Sequence, residues 1–311
     1  MTESFNQSCP PGLRAEGGRN AVLRARLSEG LLIAPGCFDC LTARLVEQAG
    51  FDAAYVTGAG MSMSMLGAPD LGLASFSEVL DRISRICDVL GIPVIADGDT
   101  GFGGPLNIIR TVRAYERAGV SAIQIEDQES PKRCGHESGR RVVPVAEMQA
   151  RIRAAVDARL ESDFVVIART DARSALGLAE AIDRAGAWRE AGADIVFVES
   201  PESVEELKAV KAALPDVPLV ANMVEGGRTP CLDAETLEAL GYALAIFPNS
   251  LTRLFAKAGQ DMLAEMKRHG GTATVRDSML GHDALWQVFE RDTWLRLERR
   301  YQQASRAEAA E

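Results

Sequence analysis

Cysteine and histidine are scarce: six and three in 311 residues. Cysteines this sparse exclude a disulfide scaffold and point to a reducing, cytoplasmic setting. One CxxC is present, Cys37-Phe38-Asp39-Cys40. With no second CxxC and no histidine nearby, it reads as accidental rather than as redox or zinc chemistry. Positive charge is also short, because 34 Lys and Arg against 44 Asp and Glu leave a net charge of −10. That balance argues against nucleic acid or an anionic membrane as partner, since either rewards a basic face. No apolar run is long enough to span a bilayer. The first twenty residues are polar and acidic where a signal peptide would carry an apolar core. What remains is ordinary for a soluble globular chain, at 47% hydrophobic and 25% charged.

The densest chemistry lies between Pro93 and Arg141. Val94–Ala96 is a short β-branched run ending in Asp97-Gly98-Asp99, and residues two apart on an extended chain point the same way. One βα unit later, Ser121–Ile125 ends in Glu126-Asp127. Carboxylates gathered without matching His or Cys suit a hard cation such as Mg²⁺, which prefers oxygen and keeps several waters. Lys132, Arg133, Cys134 and His136 then fall within five positions. Positive neighbours favour the Cys134 thiolate and tune proton transfer through it.

Taken in order, residues 1–18 carry two prolines and little periodicity and read as a disordered arm. Strands are predicted at Leu31–Ala34, Ala53–Val56, Val94–Ala96, Ser121–Ile125, Phe164–Ala168, Asp194–Val198, Leu219–Ala221 and Ala243–Phe247. Helical spacing separates them, and each strand ends in polar or small residues. The first is predicted to stop at Pro35-Gly36. After the second, Thr57-Gly58-Ala59-Gly60 reads as a Gly-rich turn whose amides can approach an oxyanion. Eight strands with one-sided polar endings predict a (β/α)8 TIM barrel over residues 19–270, with its site at the C-terminal face. A doubly wound sheet would call for a GxGxxG after the first strand, which is absent. Residues 271–311 exceed what one barrel helix needs, and Trp286, Phe289 and Trp294 there are expected to pack on a neighbouring subunit. Ala304–Glu311 reads as a frayed polar tail.

The loop Lys132-Arg133-Cys134-Gly135-His136 closely resembles that of the isocitrate lyase/phosphoenolpyruvate mutase superfamily, in which KRCGH marks the lyases. The resemblance extends through YVTGAG, GAPDLG, DGDTGFG, QIEDQ, ARTDA and NMVEGGRTP. It implies a TIM barrel whose last helix is exchanged between two subunits of a homodimer or homotetramer. It implies Mg²⁺, replaceable by Mn²⁺, held directly by Asp97 and through water by Asp99, Glu126 and Asp70. Tyr55, Thr57, Gly58 and Ala59, with Arg169, would hold a 2-hydroxy or 2-oxo dicarboxylate, and Asp97, Glu199 and Asn222 would also face it. Glu137-Ser138-Gly139-Arg140 and Val224-Glu225-Gly226-Gly227 are similar to the 2,3-dimethylmalate lyases rather than the 2-methylisocitrate lyases. Oxaloacetate hydrolases or decarboxylases and carboxyphosphonoenolpyruvate mutases are close relatives.

The expected reaction is carbon–carbon cleavage of a substituted malate to pyruvate or a related 2-oxo acid plus a carboxylate. Cys134 is the expected acid, with Lys132, His136 and Glu199 around it; the base is left open between Tyr55, if metal and Arg169 lower its pKa, an ordered water and a carboxylate. A barrel that binds a 2-oxo acid without turning it over is the non-enzymatic alternative, told apart by assay.

Overall fold

The computed structural model describes residues 18–135 and 139–308. The predicted arm, apart from its last glycine, lies outside the described residues, as does His136.

The predicted (β/α)8 barrel is what the chain forms. Helix α1 (Arg19–Ser28) leads into β1 (Leu32–Cys37), α2 (Cys40–Gln48), β2 (Ala54–Val56), α3 (Gly58–Leu66) and α4 (Phe76–Val89). Then come β3 (Val94–Asp97), α5 (Pro105–Arg117), β4 (Ala122–Glu126), α6 (Val145–Asp157) and β5 (Val165–Thr170). The second half runs α7 (Ala172–Leu176), α8 (Leu178–Glu190), β6 (Ile195–Val198), α9 (Val204–Ala213), β7 (Val220–Asn222), α10 (Ala234–Ala239) and β8 (Leu244–Phe247). After β8 come α11 (Ser250–His269), a 3₁₀ turn (Ala273–Ser278), α12 (His282–Val288) and α13 (Arg291–Glu308). The strands are parallel in the order β6-β5-β4-β3-β2-β1-β8-β7, and a bridge between Val196 and Leu219 joins the two ends into a ring.

Both faces of every strand are covered, so the strands read as continuous apolar runs. Outward side chains join those of the helices in one cluster that includes Trp188, Tyr115 and Phe164. Inward side chains form a second cluster filling the barrel, among them Leu32, Ile95, Val165, Ile167, Phe197 and Ile246. Leu23 of α1, fully buried, enters that inner cluster. Arg24 fastens the same helix by donating to the Asp163 carbonyl at 2.9 Å and to Asp194 Oδ1 at 3.0 Å. The helix thus stoppers the end of the barrel away from the polar strand ends.

Three expectations are corrected. β1 does not stop at Pro35-Gly36 but runs on to Cys37. Gly36 serves close approach rather than a turn, because a Cβ there would lie 2.2 Å from the Pro248 carbonyl oxygen. Thr57–Gly60 is no loop: Thr57 caps α3, its hydroxyl accepting from the Gly60 amide at 3.3 Å, and the small residues form the first helical turn. The tail expected to fray from Ala304 stays helical through Glu308. The cysteines of the CxxC are free thiols, Cys37 buried and Cys40 half-buried with its Sγ 3.4 Å from the Arg85 carbonyl oxygen. Among the described residues no helix is long and apolar enough to cross a membrane.

Because Leu23 fills the barrel end far from the polar face, Leu23→Ala should lower unfolding free energy by about 2–5 kcal/mol while leaving the site intact. Urea denaturation checks this, and a loss under about 1 kcal/mol would mean that α1 merely rests on the barrel.

Candidate active site

The same alternation that fills the barrel builds the site. One inward position beyond the apolar layer, Tyr55 is followed by Thr57, Ile95 by Asp97, Gln124 by Glu126, Ile167 by Arg169, Phe197 by Glu199 and Val220 by Asn222. All six of these polar residues are buried. All but Glu199, which lies behind Arg169 and Asn222, line one pocket, together with Tyr55, Ala59, Asp70, Lys132, Cys134 and Pro248. Gly58 stands directly behind Asp97, where a Cβ would come within 2.6 Å of Oδ2. The N-terminus of α3 therefore opens beside the carboxylate cluster.

The alternation also separates the acidic pair. Glu126 points in, whereas Asp127 points out, accepting from the Thr170 hydroxyl at 2.8 Å and the Asp171 amide at 2.8 Å and pairing with Arg184 at 3.1 Å. Asp127 thus braces the barrel wall. Asp99 lies past the end of β3 in the left-handed region at φ 47°, so its place comes from a turn rather than from strand geometry.

Lys132 crosses over the acidic side of the cavity. Its ammonium lies 2.5 Å from Asp70 Oδ1 and 2.6 Å from Asp99 Oδ1. Burial alone would lower that ammonium's pKa, but Asp99, Asp97, Asp70 and Glu126 together push it well above the usual lysine range. Burial and the neighbouring Asp99 charge push Asp97 up to about 6. Burial likewise leads in pushing Glu126 well above the usual carboxylate range. The Tyr55 phenol is also pushed well above its ordinary value, by burial first and Asp97 second, and it donates to Gln124 Oε1 at 3.1 Å. A base role needs the opposite shift, and the protein groups around Tyr55 do not give it.

On the facing side, Arg169 lies between Glu126 at 3.4 Å and Glu199 at 3.6 Å. Glu199 is fully buried, accepting from Asn222 Nδ2 at 3.0 Å and from the Ser200 hydroxyl at 2.8 Å. The loop carrying Lys132 and Cys134 is turned inward: Lys132 and Gly135 are buried and Cys134 half-buried. Gly135 explains how. A Cβ there would lie 2.5 Å from Arg169 Nη2 and 2.8 Å from Glu199 Cδ, so only glycine lets the backbone settle on both.

The acidic side suits a hard cation by donor type: four carboxylates gather there, and Glu126 Oε1 is buried without a hydrogen-bond partner. Among the described residues no three of them converge on one point as direct ligands. That spacing fits an ion held by one or two carboxylates directly and by the others through water, as Mg²⁺ prefers.

Three site residues escaped the sequence reading. Gln124 links Tyr55 to Asp97 Oδ1, the latter at 3.5 Å, and its place two before Glu126 on one strand was a usable signal. Asn249 accepts from the Thr57 hydroxyl at 3.4 Å. Ser200, at φ 60°, also lies 3.0 Å from the Gly135 carbonyl oxygen, and nothing in the sequence marks it.

Comparison with known proteins gives these residues a context. The family profile described as phosphoenolpyruvate phosphomutase matches residues 23–267. The chain is 49% identical to the 2,3-dimethylmalate lyase of Eubacterium barkeri over 261 residues, 84% of this chain and 90% of that one. It is 41% identical to a probable 2-methylisocitrate lyase of Corynebacterium glutamicum, over 87% of this chain and 88% of that one. Among solved structures, 2,3-dimethylmalate lyase superposes with a TM-score of 0.88 at 37% identity, covering 92% of this chain and 96% of that one. Oxaloacetate acetylhydrolase with 3,3-difluorooxalacetate gives 0.86 at 40%, covering 91% and 96%. Phosphonopyruvate hydrolase with oxalate and Mg²⁺ gives 0.82 at 34%, covering 91% and 99%.

Proposed function

Since the chain belongs to the isocitrate lyase/phosphoenolpyruvate mutase superfamily, we propose that it is a Mg²⁺-dependent lyase cleaving the C2–C3 bond of a small substituted malate such as 2,3-dimethylmalate. The products are pyruvate or a related 2-oxo acid and a saturated carboxylate. The observation that carries this reading is one cavity in which Cys134 and Lys132, from a single loop, meet Asp97, Glu126 and Arg169. Similarity to the 2,3-dimethylmalate lyase supports the substrate class.

Arg169 holds a substrate carboxylate, and the amides opening α3 hold the other end. A carboxylate of the acidic side accepts the 2-hydroxyl proton, the C2–C3 electron pair leaves with C3, and C2 becomes the ketone of the 2-oxo acid. The C3 fragment is an enediolate until Cys134 delivers a proton to it. Lys132, on the same loop, anchors it to Asp70 and Asp99, and the inward-turned loop excludes water from a carbanion that would otherwise be protonated unselectively. Asp97, Asp99, Glu126 and Asp70 would hold Mg²⁺, which would supply positive charge to the substrate's C2 oxygen.

The proposal includes assembly. Helix α11 has no buried residue, and Leu254, Leu263, Leu280, Trp286 and Trp294 are 61%, 60%, 58%, 43% and 49% exposed. An apolar face of that extent marks an interface, and we assign it to a second copy of the chain within a dimer or tetramer. Replacing Trp286 and Trp294 together by Glu should give a smaller species in sedimentation equilibrium; a wild-type protein already monomeric at micromolar concentration would remove the assignment.

Turnover of malate, citramalate, 2,3-dimethylmalate, 2-methylisocitrate and oxaloacetate tests the function. One of the first four should be cleaved, with activity lost on chelation and restored by Mg²⁺ or Mn²⁺. Binding without consumption of any would make the barrel a 2-oxo acid sensor. On the best substrate, Cys134→Ser should cost about 10²–10⁴-fold in kcat with ligand affinity nearly unchanged, because a hydroxyl is a far weaker acid than a thiol. A kcat within a few-fold of wild type would favour the oxaloacetate-decarboxylase reading instead.

A further inference from the structure

Arg169 is the cation expected to meet the substrate carboxylate, yet inside the cavity it faces two acids. Nη1 lies 3.4 Å from Glu126 Oε2, and Nη2 lies 3.6 Å from Glu199 Oε2. Neither contact has good hydrogen-bond length, and each pulls the guanidinium toward a different wall. What fixes it comes from behind. Asp171 takes Nε on Oδ2 at 3.0 Å and Nη2 on Oδ1 at 2.8 Å, a two-pronged fork that sets the plane as well as the place of the group. Phe197 lies under the guanidinium, 5.2 Å from Cζ to the ring centre. Asp171 is itself fully buried and anchored, its amide donating to Asp127 Oδ1 at 2.8 Å.

We propose that Asp171 is a positioning residue for the lyase, holding Arg169 clear of Glu126 and Glu199 so that the guanidinium edge stays open to the substrate carboxylate. The inference rests on the role given to Arg169 above. A second cation completes the arrangement: Arg140 also bonds Asp171 Oδ1, and its Nη2 donates to the Ser174 hydroxyl at 2.7 Å. Asp171 thus stands between two buried guanidiniums. Burial alone would raise its carboxyl, but Arg169 and Arg140 hold it below the usual carboxylate range.

Asp171→Asn alone would leave Arg140 and Arg169 sharing a neutral amide, and unpaired buried charge can unfold a protein. The informative protein is therefore Asp171→Asn combined with Arg140→Met, which removes one charge of each sign, with Arg140→Met alone as control. Three quantities are read: melting temperature, oxalate affinity by calorimetry in saturating Mg²⁺, and KM and kcat on the best substrate. Supporting tethers behind a binding group typically contribute about 10–100-fold. The double variant should melt within a few degrees of wild type, bind oxalate about 10–100-fold more weakly and show a matching rise in KM, with kcat changed much less. Arg140→Met alone should keep oxalate affinity within about threefold, since the fork on Arg169 survives. Oxalate affinity and KM of the double variant near wild type would overturn the proposal, and so would a fall confined to kcat. Oxalate binding is read without turnover, so a wild type that binds oxalate yet cleaves none of the five acids defeats the lyase reading and leaves the Asp171 comparison valid.

Discussion

A buried ammonium holds the acidic half of the site together. Asp70, Asp97, Asp99 and Glu126 come from three separate stretches of chain, and without positive charge among them their burial would be prohibitive. Lys132 meets two of them within 2.6 Å and raises none of its own charge cost unanswered, since four carboxylates stabilise it. The pairing has a geometric consequence as well. It draws the loop of residues 128–135 over the cavity and against Asp70, on the segment between α3 and α4, so two loops that share no secondary structure are fastened by one side chain.

Opposite this acidic half, Arg169 is the complementary constraint. The two cations divide the pocket into a side able to share its carboxylates with a metal ion and a side able to take a carboxylate, and Cys134 lines the same pocket on a loop that only Gly135 allows to settle.

Most of the barrel was legible because parallel strands buried on both faces announce themselves as short apolar runs, and all eight were located within a few residues. Two of the errors share a cause. Pro35-Gly36 and Thr57–Gly60 carry residues that usually end strands or make turns, but here they answer close approaches to Pro248 and Asp97 made by distant chain, which local pattern does not encode. In the site, strand-end residues with inward parity, such as Glu126 and Arg169, were readable from the two-residue period. The outward turn of Asp127 followed from the same period and could have been read from it. Ser200 and Asn249 were not readable, because their roles depend on which loops meet across the barrel mouth. The protein surroundings of Tyr55 were hidden as well, since burial rather than charge dominates them.

The ring of strands is thinnest between β6 and β7, where a bridge at Val196 and Leu219 joins them near the barrel floor. At the mouth, the link across that seam is made by side chains: Asn222, ending β7, donates to Glu199, just beyond β6. Pocket polarity and hoop closure are thus one hydrogen bond. Any reshaping of the pocket at Asn222 loosens a stave of the barrel, so substrate range and mechanical tightness are not free to vary independently at this seam.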